Sequence, residues 1–155
     1  MTYRIEGLEP TPLLPLFDAS DDALAAALAT RVTASSDTGF PCRVSLQDAN
    51  IGDDLILTHH VSNDVAGPFR MAHAIYVRRG AEQAEPIHDR FPDMLDRRTI
   101  GLRAFDRDGM LIAARLALPS EGDREVRALL DDEQVAYIHA HNAAYGCFLA
   151  AIERD

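Results

Sequence analysis

Residues 135–154 read VAYIHAHNAAYGCFLAAIER, and the reading of this stretch decides the fold. Taken as extended chain, it is two closing strands, VAYIHAHN and CFLAAIER, folded back through a tight AAYG turn. Successive side chains on a strand point to opposite faces. Tyr137, His139 and His141 then share one face, and Ala136, Ile138 and Ala140 share the other. The apolar set is the natural core face. The histidine face is therefore expected to look towards solvent, a cleft or a partner chain.

Working outward, RTIGLRAFDRDGMLIAARLAL carries the clearest hairpin signal. Two apolar strands flank Arg107-Asp108-Gly109, and Asp-Gly tolerates the left-handed backbone that such turns need. SEGDREVRALLDD reads as a helix, with Ser120 as its cap and Val126, Leu129 and Leu130 as its apolar stripe. DASDDALAAALAT reads as a second helix capped by Ser20, with Asp21 and Asp22 suited to its first turn. PTPLLPLF has three prolines and allows at most one helical turn.

TYRIEGL, RVTAS, GDDLILTHHVS and HAIYVR read as strands. In the third, Leu55, Leu57 and His59 face one way and Ile56, Thr58 and His60 the other, so at most one of the adjacent histidines joins any site. AEQAEPIHDRFPDML is polar, with two prolines, and reads as loop with a short helix near its end. Connections between strands are too short for crossover helices, so most pairs are expected to be antiparallel. The expected fold is α+β: a single domain over 1–155, with one central, curved, mostly antiparallel sheet and two main helices.

The chain has 155 residues, long enough to bury a sizeable core without staples. Its formal charge is −10, which argues against nucleic acid and anionic membranes as partners. All 15 basic residues are arginine. Without lysine there is no Schiff base, lysine general base or Walker-type phosphate lysine. Cys42 and Cys147 are too few for a disulfide framework and form no CxxC pair. The acidic MTYRIEGLEP start does not resemble a signal peptide, and no apolar run approaches a membrane span. A cytoplasmic protein is expected.

The candidate chemistry gathers around histidine. His139 and His141 lie about 7 Å apart at Cα on an extended chain. Such an HxH pair can chelate a metal if a third ligand such as His73 joins it. No motif requires a cofactor. Arg70 and His73, in PFRMAHAIYV, begin another strand. If the two strand ends meet, an arginine, three histidines and Asn142 surround one spot suited to a carboxylate or phosphate, because arginine binds such groups bidentately and histidine moves protons. Cys147 follows Gly146 near the histidines and is an outside candidate for nucleophile. Cys42 stands between Pro41 and Arg43.

GFPCRVSLQDANIGDDLIL (39–57), PFRMAHAIYVR (68–78), LRAFDRDGMLI (102–112) and VAYIHAHNAAYGCFLAAIER (135–154) together resemble family 1203 of the domains of unknown function. These are small bacterial proteins without an established activity. The resemblance implies that Cys42, Arg43, Arg70, His73, His139, His141, Asn142 and Cys147 belong to the family pattern. That family typically has an aromatic residue just before its histidine, where Thr58 and the His59-His60 pair stand here. It implies no reaction.

The leading expectation is a polar His/Arg pocket for a small anionic ligand, in a hydrolase or transferase with histidine acid–base chemistry. Arg70 would hold the anion, with Asn142, Arg43 and Cys42 also at the ligand. His73, His139 and His141 would move protons. The alternatives are a non-catalytic binding or oligomerisation module, such as a homodimer built on the histidine face, and a histidine metal site. No motif decides between catalysis and binding.

Overall fold

The structure, a computed structural model, describes residues 2–155. In chain order its elements are β1 (Tyr3–Glu6), α1 (Asp21–Ala26), β2 (Ala29–Thr33), β3 (Pro41–Cys42), β4 (Gln47–Asp48), β5 (Asp54–Asn63), β6 (Met71–Arg78), β7 (Ile87–His88), α2 (Asp93–Asp96), β8 (Ile100–Phe105), β9 (Leu111–Ala117), α3 (Gly122–Leu130), β10 (Tyr137–Asn142) and β11 (Phe148–Arg154). Among the described residues no helix is long and apolar enough to cross a membrane.

The architecture is α+β and dominated by strands, but the expected single sheet is two. One has the order β7-β1-β11-β10-β8-β9, and the other β2-β5-β6-β3-β4. Every neighbouring pair is antiparallel except β3 beside β6. Periodicity marks strands but not their partners. β1 pairs with β11 from the opposite end of the chain, Tyr3 against Arg154, and nothing local announces such a pairing.

The helices also depart from expectation. Among the described residues there are three α-helices, besides one short 3-10 segment at Leu14–Asp18, and only α3 exceeds two turns. Ser20 caps α1 as read, accepting from the Ala23 amide. The helix then stops at Ala26. Leu28 turns left-handed, and Ala29 and Thr30 join β2 against β5. An isolated alanine-rich helix of this length is marginal, and pairing with a long strand overrides its propensity. Ser120 does not cap α3: it takes a positive φ of 68°, its amide donates to the Asp96 carbonyl, and Glu121 occupies the cap. The hairpin turn forms as expected. Gly109 has φ of 79°, and Asp106 Oδ1 accepts from the amides of Asp108 and Met110.

The elements stack in layers. α3, through Val126, Leu129 and Leu130, packs with Met94 and Leu95 of α2 on the face of the first sheet that carries Ile5, Leu102, Ile138 and Ile152. The opposite face meets the second sheet. Near one end of β5 and β6, Ile56, Ile75 and Val77 close a second apolar cluster with Phe17 and Leu24. Farther along, the same strand faces carry His60, Ser62 and His73. The space between the sheets thus passes from apolar core to a polar seam.

Gly7, just past β1, packs against neighbouring backbone. A Cβ there has no room beside the Val44 carbonyl and the Ala84 amide. That close approach lets the Leu8 amide donate to the Arg43 carbonyl at 2.8 Å.

Candidate functional site

The seam is built by register. His60 of β5 stands opposite His73 of β6, so both imidazoles rise from one face of the second sheet. The facing sheet presents three rows running β10–β8–β9. They are Tyr137–Phe105–Leu111, His139–Arg103–Ala114 and His141–Gly101–Leu116. Phe148 of β11 pairs with His141, just past an irregularity in the register.

The histidine face of β10 does not open to solvent as expected. His139 is 5% exposed and His141 is 1% exposed, because the second sheet covers them. The His73 and His141 rings meet edge to face with centroids 4.9 Å apart. His139 lies 6.2 Å from His141 and 5.1 Å from Phe148, which also meets His60 at 5.9 Å. His60, His73, His139 and His141 therefore form one aromatic-lined group.

Their polar atoms are unevenly satisfied. His73 Nδ1 shares a 2.7 Å hydrogen bond with the Ser62 hydroxyl. His141 Nδ1 lies 3.1 Å from the Gly146 carbonyl. A carbonyl only accepts, so Nδ1 carries the proton and Nε2 is left as a lone pair. That Nε2 and His139 Nδ1 are buried without a hydrogen-bond partner among the described residues. Tyr137 donates to Asn63 Oδ1 at 2.8 Å, closing one end of the seam.

Two arginines border the group. Arg43 is 1% exposed. Its Nε donates to the Phe148 carbonyl at 2.8 Å, Nη1 to the Pro41 carbonyl at 2.6 Å, and Nη2 to Cys147 Sγ at 3.2 Å. Its contacts include no carboxylate, and burial makes its charged form harder to hold. Half-buried Arg103 reaches across from β8 with Nη1 3.6 Å from Met71 Sδ, again without a carboxylate among the described residues.

The electrostatics follow. Burial, then His73, Arg103 and His60, push His139 down to about 4. Burial outweighs the Gly146 carbonyl at His141 and, with Arg103 and its neighbours, takes it to about 3. His73 is lowered by burial, then by Arg103 and Arg43. His60 is lowered by burial, then by Arg43 and the nearby imidazoles. No carboxylate offsets any of these shifts. In an acidic chain the seam is a locally positive site, with Arg43 and Arg103 beside it.

Of the residues singled out from sequence, His73, His139, His141, Arg43 and Cys147 come together here. Arg70 stands outside, 60% exposed and paired with Asp64 at 2.9 Å. Asn142 serves the turn, where its Oδ1 accepts from Ala144 and Tyr145. Cys42 is fully buried in the apolar cluster, and its Sγ accepts from the Arg78 amide. Among the described residues no group of three or more His, Cys, Asp or Glu is placed to hold a metal, so His73, His139 and His141 do not converge as a ligand set.

Sequence reading missed His60, Ser62, Arg103 and Gly101. The alternation of LILTHHVS already placed His60 with Ile56 and Thr58. Arg103 was visible as the polar member of an otherwise apolar LRAF. A groove of about 580 Å³ lies elsewhere, between the Ser45–Asp48 turn and Phe91–Met94. It holds no histidine and its Asp48 is already paired with Arg98.

The chain is thus a two-sheet α+β protein with a histidine–arginine seam between its sheets. It belongs to the family described as Protein of unknown function (DUF1203), whose model matches residues 39–154, a stretch that includes every residue of the seam. No curated protein and no solved structure matches the chain.

Proposed function

We propose that the seam binds a small anion, held by Arg103 at its half-open end, with His73 as the group that gives or takes a proton. The observation that carries this reading is Arg103 itself. It is a half-buried guanidinium with no carboxylate partner among the described residues, set beside four imidazoles that burial, and after it nearby positive charge, pushes towards neutrality. An anion there supplies the missing counter-charge and two acceptor oxygens for a planar donor.

His73 is the proton carrier because it is half-buried while His139 and His141 are enclosed. Ser62 fixes its ring by the 2.7 Å bond to Nδ1. The arrangement fits acid–base chemistry on a carboxylate or phosphate ester, the work of a hydrolase or transferase. Arg43 acts as scaffold: it ties Pro41 to Phe148 and so ties the second sheet to the first.

The test is titration of the protein with acetate and with inorganic phosphate, followed by NMR of the histidine rings. Saturable shifts at His73 are expected in the wild type, weakened at least about tenfold in Arg103→Gln and retained in Arg70→Gln. Shifts equal in wild type and Arg103→Gln, or no saturable shift, would remove the reading.

A further inference from the structure

One strand residue of the seam has no side chain. Gly101 sits in the last of the three rows, between His141 of β10 and Leu116 of β9. A glycine inside a strand weakens it, and often marks the close approach of a ligand or another backbone. Here no backbone approaches: a Cβ built on Gly101 meets nothing within 4 Å. The position is neither a bulge nor a positive-φ turn. Gly101 leaves a notch in the face.

The walls of the notch differ in chemistry. On one side stands His141, 1% exposed, with Nε2 unpartnered. One row away on the same face is Arg103. On the other side is Leu116, 60% exposed, and farther along β9 is Ile112 at 39%. β9 ends its sheet, and Ile112, Ala114 and Leu116 along it are exposed among the described residues. Cationic and imidazole groups lie at the inner end, and bare aliphatic surface runs outward from them.

We infer that the ligand of the seam is a carboxylate carrying an apolar chain, its head in the notch over Gly101 and its tail along Leu116. The inference rests on the anion reading above and adds the ligand class. One carboxylate oxygen accepts from Arg103. The aliphatic tail removes Leu116 from water, which a short anion does not do. Charge complementarity to Arg103 selects this occupant over a wholly apolar one.

The probes are acetate and octanoate, measured by calorimetry on the full chain. Octanoate is expected to bind at least about tenfold more tightly than acetate, given the extra methylenes laid on apolar surface. Leu116→Ser should bring octanoate down to the acetate level. Gly101→Val should abolish octanoate binding while the melting temperature holds or rises, because valine favours a strand and meets open space. If Gly101→Val does not fold, Leu116→Ser alone decides. Equal affinities for the two probes in the wild type overturn this inference and leave the anion reading intact. No binding of either probe overturns both. A dimer in light scattering that Leu116→Ser splits places a second copy on the strip, and also overturns it.

Discussion

The rings of His73 and His141 stand 4.9 Å apart, edge to face, although each hangs from a different sheet. Two imidazoles this close and this desolvated do not both carry charge. The contact therefore works as packing when neutral and as repulsion when protonated. Phe148 and Phe105 complete it, each within 6.0 Å of at least one of these histidines or of His139. The sheets are joined here by aromatic faces whose stability depends on proton count.

Stability is expected to fall in acid for that reason. His139 is lowered to about 4 in the folded protein and returns to an ordinary histidine value near 6.5 on unfolding. The unfolded chain then binds more protons below 6.5. The stabilisation is fully present above that pH and is lost as pH drops towards 4. At about 1.4 kcal/mol per pKa unit the loss is about 3 kcal/mol for His139 alone. Urea unfolding at pH 7 and pH 4.5 measures it. His139→Leu should flatten the slope between those values by about one proton. An unchanged slope would mean that His139 is not held neutral.

Arg43→Lys is expected to destabilise the fold by about 2 kcal/mol or more. The charge stays, but one ammonium cannot replace a planar fork that reaches Phe148, Pro41 and Cys147 from three nitrogens. Buried carbonyls are left without donors. Chemical denaturation of the two proteins side by side gives the difference, and a lysine variant as stable as wild type would show that the fork is dispensable.

The two thiols should differ in reactivity through access. Cys42 is fully buried in β3, whereas Cys147 is half-buried at the end of the turn closed by Gly146. A disulfide reagent of the Ellman type is expected to modify one thiol per native chain, at Cys147, and two in guanidinium. Peptide mass mapping assigns the position. Modification of Cys42 at a similar rate would mean that the short β3–β6 pairing opens readily.

Much of this fold was legible in the sequence. The alternation in LILTHHVS and VAYIHAHN, the Asp-Gly turn and the Ser20 cap each report a local preference, and each appears as read. What escaped was non-local. Only the partner strands show that both faces of β10 are covered, so the histidines read as outward-facing are enclosed. Arg70 looked like the anion holder because it precedes His73 in the chain. Asp64, six residues earlier, already neutralises it. In the proposed reading Arg103 takes that place, through cross-strand register with His139, a neighbour set by hydrogen bonding between β8 and β10 rather than by spacing.

Anion binding in the seam should draw protons in. Burial, Arg103 and Arg43 hold His73 below its ordinary value in the free protein. A negative charge beside Arg103 offsets that positive field and raises His73 again. The bound form then binds more protons than the free form across the interval between the two values. Affinity is highest below the free-protein value. It falls as pH rises through the interval, and is flat above the bound-state value. Calorimetry with acetate near pH 6, in two buffers of different ionisation enthalpy, reads the uptake directly. Part of a proton is expected in the wild type and less in His73→Gln. Proton release, or an affinity flat from pH 5 to 8, would place the anion out of contact with His73, and the acid–base role assigned to that residue would go with it.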